Sequence, residues 1–177
     1  LSFSKLLNQK AIHKPSAQHV LDDDYYKRIE AIQFTMSHDD GKKVDDLDSA
    51  DVVLLGVSRT SKTPTSIYLA NRGYKTVNIP LVLNQKIPAD LYSNNSSCIV
   101  GLIADPERLS DIRRNRVAIM QDQNLKEYTD LDSIKKEVED SRKLFKKNSW
   151  PIIDVTRRSV EETAASILKI IEIKKNK

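Results

Sequence analysis

Read for its apolar and polar positions, the chain divides into short aliphatic runs separated by segments of helical period. Residues 52 to 55, V-V-L-L, and 98 to 103, C-I-V-G-L-I, are almost wholly apolar, as strands buried on both faces of a parallel sheet are. Residues 75 to 79, K-T-V-N-I, read as a strand ending at Pro80, and I-I-D-V (152 to 155) as a last short one. Tyr25, Ile29, Ile32 and Met36 fall at helical spacing, with Asp22, Asp23 and Asp24 as cap and acidic first turn. Gly41 is placed to close this helix in a left-handed conformation.

Further helices are expected from Pro64 to about Asn71, stopping at Gly73, and from Pro106 to about Met120. Another, capped by Asp130 or Asp132, runs to about Lys146, and a closing helix runs from Ser159 to about Ile171. Residues 1 to 8 read as a short helix with Leu1, Phe3, Leu6 and Leu7 near one face, and residues 9 to 19, with Pro15, as a connector. The lysine-rich end, I-K-K-N-K, is expected to fray. Strands alternating with helices imply an α/β fold, a parallel sheet flanked by helices. The expected division is an N-terminal helix and connector over 1–23 and one α/β domain over 24–177.

Composition narrows the class. At 177 residues, 39% apolar and 31% charged, the chain has the length for a real core and the polarity of a soluble protein. No apolar run approaches a membrane span, and the first ten residues do not read as a signal peptide. Its one cysteine, Cys98, excludes an internal disulfide and suits a reducing, cytoplasmic compartment; within an apolar strand it reads as a buried inert thiol. A net charge of +4 suits phosphate ligands or an acidic partner and does not by itself indicate nucleic acid. The sequence lacks Met at position 1 and reads as part of a longer protein.

Chemistry concentrates after the first strand. Residues 56 to 63, G-V-S-R-T-S-K-T, have the layout of a phosphate-binding P-loop, G-x-x-x-x-G-K-[ST], with Ser61 in place of the second glycine. Gly56 allows close approach, and the backbone N–H groups of Val57, Ser58, Arg59, Thr60 and Ser61 can form an anion nest. The next helix adds its unpaired N–H groups. Lys62 can reach the β- and γ-phosphate region, and the Thr63 hydroxyl can ligate Mg²⁺.

Other residues carry weaker signals. His38, Asp39 and Asp40 precede the strand by about a dozen residues; they could hold Mg²⁺ or accept a proton, or simply form an acidic turn at a helix end. Arg108, Arg113, Arg114 and Arg116 share one predicted helix, where Arg113 and Arg116 could converge on a transferring phosphate and the others form a solvated face. Asp154, Thr156, Arg157 and Arg158 follow the last strand, but Ser159 with Glu162 reads first as a capping box. Asp51 reads as a strand opener, and Tyr68 and Trp150 as packing residues.

With these residues assembled, the chain resembles the pyruvate, phosphate dikinase regulatory proteins, also called kinase–pyrophosphorylases. The resemblance lies in A-D-V-V-L-L-G-V-S-R-T-S-K-T-P-T-S-I-Y-L-A-N-R-G-Y-K-T-V-N-I-P-L-V (50 to 82) and three further blocks. These are R-I-E-A-I-Q-F-T-M-S-H-D-D-G (28 to 41), G-L-I-A-D-P-E-R-L-S-D-I-R-R-N-R (101 to 116) and W-P-I-I-D-V-T-R-R-S-V-E-E-T-A (150 to 164). It spans roughly residues 18 to 171, and the serine at the second glycine position belongs to the family's own pattern. It implies a P-loop NTPase-like scaffold and a bifunctional enzyme. Such proteins use ADP to phosphorylate a threonine on pyruvate, phosphate dikinase or phosphoenolpyruvate synthase. They remove the phosphate with inorganic phosphate, releasing pyrophosphate.

By this resemblance Gly56 to Thr63 would bind ADP. Lys62, His38, Asp39 and Asp40 would be catalytic, with Asp39 or Asp40 as base or Mg²⁺ ligand; Arg113 and Arg116 join them only on their own charge and spacing, against the alternative of a solvated basic face. A homodimer is compatible with it. Family members carry an additional N-terminal region, so this chain is expected to bind nucleotide but to phosphorylate poorly if that region helps bind the target. The alternatives are a small-molecule P-loop kinase and a nucleotide-binding regulatory module without turnover.

Overall fold

The computed structural model describes residues 23–41, 46–82, 87–94, 96–120 and 126–176. The helix and connector expected over residues 1 to 19 lie outside them. Four strands form one sheet: β1 (Val52–Gly56), β2 (Thr76–Pro80), β3 (Cys98–Ile103) and β4 (Ile152–Asp154). All three pairings are parallel, in the order β2-β1-β3-β4. Seven helices flank it among the described residues: α1 (Asp23–Ser37), α2 (Lys62–Ala70), α3 (Asp90–Ser93), α4 (Pro106–Met120), α5 (Lys126–Thr129), α6 (Leu131–Lys147) and α7 (Val160–Lys175). Helical 3₁₀ turns span Asp39–Gly41 and Leu47–Ser49.

The strand pleat assigns the two cores. Val52 and Leu54 face one side, with Val100, Leu102, Leu69 of α2, and Ile167 and Ile171 of α7. Val53 and Leu55 face the other, with Val77, Ile79, Ile99, Ile103 and Phe145 of α6. Burial on both faces explains why β1 and β3 read as unbroken apolar runs. Within α6, Ile134, Val138, Ser141 and Phe145 recur at helical spacing and are the buried positions. A Cβ at Gly101 would fall within the Phe145 ring, so the glycine in β3 is the socket for that ring.

The caps follow their chemistry. Asp130 accepts from the Ser133 N–H at 2.9 Å to begin α6, and Ser159 with Glu162 closes a full capping box on α7. Their hydrogen bonds hold the Asp130 and Glu162 carboxyls below the ordinary carboxylate range. Asp51 opens β1 by accepting the Lys75 N–H at 2.8 Å. Cys98 is buried, and burial pushes its thiol up.

One expectation needs correction. Lys174 and Lys175 do not fray: α7 continues to Lys175, while Lys177 lies outside the described residues. Lys174 Nζ donates to the Ser97 carbonyl at 2.6 Å, and Lys175 lies 5.9 Å from the Tyr74 ring centroid. These contacts dock the last turn on the sheet. The short helices α3 and α5 carry no periodicity of their own and are found only in the structure.

Chain order reverses between β1 and β3, since β2 lies on one side of β1 and β3 on the other. In open α/β sheets the crevice beyond the carboxyl ends at such a point is the place for ligands.

Candidate phosphate-binding site

The loop after β1 opens into that crevice. Gly56 ends the strand, and a Cβ there would stand 2.6 Å from the Leu102 carbonyl oxygen and 2.7 Å from Thr60 Oγ1. Only glycine lets the loop leave the sheet so close to β3. Thr60 Oγ1 and Lys62 Nζ each donate to the Val57 carbonyl at 2.9 Å, folding the loop back on itself. Arg59 and Ser61 are left-handed, with φ of 73° and 57°. Ser61 thus holds the conformation that favours glycine in the strict motif, at a strain of about 1–2 kcal/mol. It is the N-cap residue of α2 but makes no side-chain cap bond. The N–H groups of Arg59, Ser61 and Lys62 have no acceptor among the described residues, so the helix start is left open to an anion.

Lys62 is buried, only 6% exposed. Burial pushes its ammonium down to about 8 from 10.5; nearby Asp40 opposes this, Arg113 adds to it, and Asp39 and Arg59 act more weakly in opposite senses. A cation with so little solvation is completed by an incoming anion.

Across from it, the turn after α1 delivers the acids. Asp39 Oδ1 accepts from Thr63 Oγ1 at 3.1 Å and from Asn78 Nδ2 at 2.6 Å, and Asn78 Nδ2 lies 3.0 Å from Thr63 Oγ1. This closed triangle joins the 3₁₀ turn, β2 and α2. Asp40 is left-handed, with φ of 52°, and exposed. Gly41 is left-handed as expected, at φ 71°, but it ends this turn rather than α1, which stops at Ser37. Asp40, Ser58, Arg59, Ser61, Lys62, Thr63, Pro64, Pro80 and Ile112 together line a cavity of about 380 Å³.

A scan against family models matches residues 1–168 to the kinase/pyrophosphorylase family. The chain belongs to that family. Among curated relatives, this kinase/pyrophosphorylase chain is 63% identical over 177 residues to a Pelagibacter ubique protein assigned by name as a pyruvate, phosphate dikinase regulatory protein. That alignment covers 99% of the chain and 65% of the relative. Relatives of the same name from Erythrobacter litoralis and Rhizorhabdus wittichii are 52% and 51% identical, over 93% and 96% of the chain and 59% and 62% of their own lengths. The chain thus spans about three-fifths of the length of these relatives.

Against the residues expected from sequence, the kinase/pyrophosphorylase structure gathers Gly56 to Thr63, Asp39 and Asp40 at one place. His38 joins them through the backbone alone. Its Nδ1–H donates to the Phe34 carbonyl at 2.7 Å, its ring stacks on Phe34 at 4.0 Å, and its own carbonyl accepts the Asn78 N–H at 3.2 Å. His38 therefore shares no proton with Asp39 or Asp40 and instead anchors the turn that carries them.

The two arginines diverge rather than converge. Arg113 is fully buried and paired with Glu137, whereas Arg116 is exposed. Three positions leave these side chains about 60° apart on neighbouring parts of the helix surface, and the packing of α4 on α6 buries the first while the second stays exposed. Neither lines the cavity. Arg108 and Arg114 are exposed on the same helix.

Two contributors were not singled out from sequence. Asn78 sits within β2, T-V-N-I-P, where it is the one polar position that is not β-branched and so the available signal. Tyr128, whose hydroxyl lies 2.9 Å from Ser58 Oγ, gives no such signal. Among the described residues no helix is long and apolar enough to cross a membrane.

Proposed function

We propose that the protein is an ADP-dependent protein threonine kinase that also runs a phosphate-dependent, pyrophosphate-forming dephosphorylation at the same site. The carrying observation is the convergence of a buried lysine with Asp39, Asp40 and Thr63 in one open crevice. The loop N–H groups and Lys62 would hold the two phosphates of ADP. In the forward direction the substrate hydroxyl gives its proton to Asp40, the exposed acid of the cavity, and its oxygen bonds to the β-phosphorus. The bridging P–O bond breaks and AMP leaves. In reverse, an oxygen of inorganic phosphate attacks the phosphothreonine phosphorus. The attacking phosphate gives its proton to Asp40, which passes it to the leaving threonine oxygen, and pyrophosphate is released. Both directions need one phosphoryl position beside Lys62.

The donor set fits Mg²⁺. Asp39 and Thr63 present hard oxygens side by side, and among the described residues no three acidic or histidine side chains cluster as a full cage. Mg²⁺ commonly takes one or two carboxylates with substrate phosphates. Asp39 and Thr63 would hold it, and when bound it neutralises phosphate charge. The Asn78 amide keeps the two oxygens together.

The names of the relatives point to pyruvate, phosphate dikinase as the protein substrate, with phosphoenolpyruvate synthase as the alternative. The reaction is assigned to the cytoplasm, with no role for membrane or nucleic acid. The test is incubation of the chain with each target and ADP labelled in the β-phosphate, followed by addition of unlabelled phosphate. Label on a target threonine, then recovered as pyrophosphate, is the expected result. Transfer only from ATP to a metabolite would favour a small-molecule kinase, and binding without turnover a regulatory module. In the same assay Asp40→Asn should lose transfer while still binding ADP.

A further inference from the structure

The geometry points to Arg113, held by Glu137, as a positioning residue that fixes the peptide orientation of the phosphate loop. The inference rests on reading that loop as an anion site. Arg113 is 0% exposed and lies outside the cavity lining. Its Nη2 donates to Glu137 Oε2 at 2.7 Å and to the Ser58 carbonyl at 3.2 Å. Its Nη1 donates to Glu137 Oε1 at 3.3 Å and to the Tyr128 carbonyl at 3.1 Å. The guanidinium lies 4.6 Å from the Tyr128 ring centroid, and the Tyr128 hydroxyl meets Ser58 Oγ at 2.9 Å. Ser58 is therefore gripped at both backbone and side chain by one unit drawn from α4, α5 and α6, with buried Arg113 at its centre and Glu137 and Tyr128 half-buried around it.

The consequence follows from peptide planarity. In a trans peptide the C=O and N–H point opposite ways. Drawing the Ser58 carbonyl toward Arg113 turns the Arg59 N–H away from Arg113, to the side on which Ser58 and Arg59 line the cavity. That N–H belongs to a residue at φ 73°, and Ser61 follows at φ 57°. Such conformations persist only where the surroundings hold them. A buried ion pair is seldom needed for stability, since apolar residues of similar volume often replace one without loss. Its use here is orientation: Glu137 fixes the guanidinium fork, and the fork fixes the peptide.

The test compares ADP binding by calorimetry and urea unfolding in wild type, the double variant Arg113→Met/Glu137→Leu, and Arg113→Lys. The double variant removes both buried charges. Arg113→Lys keeps the charge and the Glu137 contact but loses the fork that reaches Ser58. Expected is a weakening of ADP binding by about tenfold or more in both, the scale of one lost hydrogen bond to a charged group, measured where unfolding shows each protein folded. Glu139→Gln, at an exposed pair with Lys143 on the same helix, should bind as wild type. If the double variant does not unfold cooperatively, Arg113→Lys decides alone. Wild-type affinity in a folded Arg113→Lys protein overturns the positioning role and leaves the phosphate site standing. Wild type binding neither ADP nor pyrophosphate overturns the phosphate site and this role with it.

Discussion

Replacing Lys62 by methionine should make stability less dependent on pH, by an amount the structure sets. The Lys62 ammonium is nearly solvent-free, and burial lowers it to about 8 from 10.5. The folded state therefore holds fewer protons than the unfolded state between these values. Stability then rises with pH across that window, and the full penalty is present below about pH 8. The gap corresponds to roughly 3 kcal/mol against the charged form. Between pH 7 and pH 10 wild type should regain about 2.5 kcal/mol from this group alone. Methionine has similar length and no charge. It also loses the bond to the Val57 carbonyl, but that loss is constant with pH. Other lysines and tyrosines titrate alike in both proteins and cancel in the difference. The assay is urea unfolding of both proteins at pH 7 and pH 10, with equal m-values as the check on two-state comparison. The variant's stability relative to wild type should fall by about 2.5 kcal/mol from the lower to the higher pH. Saturating ADP should shrink the slope of wild type, because bound phosphate restores the proton to Lys62. A difference between the two proteins equal at both pH values would refute the reasoning, since Lys62 would then titrate as an ordinary solvated lysine. The variant should also lose phosphoryl transfer in both directions by a factor of about 10² or more.

Gly56→Ala should cost about 1–3 kcal/mol by urea unfolding, because its methyl meets the Leu102 carbonyl, which is backbone and cannot rotate away; ADP binding should fall with it. Asn78→Leu keeps a branched side chain on β2 but removes the amide that holds both Asp39 and Thr63, leaving only their direct bond; kcat should fall by about 10–100-fold while ADP binding without Mg²⁺ stays within about threefold, as measured by steady-state assay and calorimetry. Ser61→Gly relieves a left-handed serine but frees the unfolded chain, so stability should move by less than about 1 kcal/mol and ADP binding should persist; Ser61→Val should destabilise by more, because a β-branched side chain tolerates that conformation poorly.

The fold was legible because burial on both sheet faces writes itself into sequence. V-V-L-L and C-I-V-G-L-I can be little else in a chain whose remaining segments have helical period, and β1 and β3 appear there. Caps were equally direct. Asp130 and Ser159 act through residues three positions on, so their partners are visible within a few letters. The docked C-terminus was not legible, since Lys174 is held by a carbonyl 77 positions away in sequence. A run of lysines carries no mark of such a partner.

The same distinction of range divides the site. The phosphate loop is one continuous segment, and the strain at Ser61 is implicit in its departure from glycine. The link from Asp39 to Thr63 spans 24 positions and the link from Arg113 to Glu137 another 24, and neither has a local signature. Arginine on a helix near a P-loop suggests contact with phosphate when only charge is considered. Packing reverses that assignment: α4 lies against α5 and α6, which turns Arg113 inward to Glu137, Tyr128 and the back of the loop. Its positive charge still reaches Lys62, where it helps to lower the ammonium. The cavity therefore meets phosphate with two cations in its lining, Lys62 and Arg59, and a third, Arg113, already neutralised by a carboxylate, behind the loop. Orientation of backbone N–H groups, more than the number of arginines, then governs how the loop grips an anion, which is why substitutions behind it should change affinity without touching the ligand.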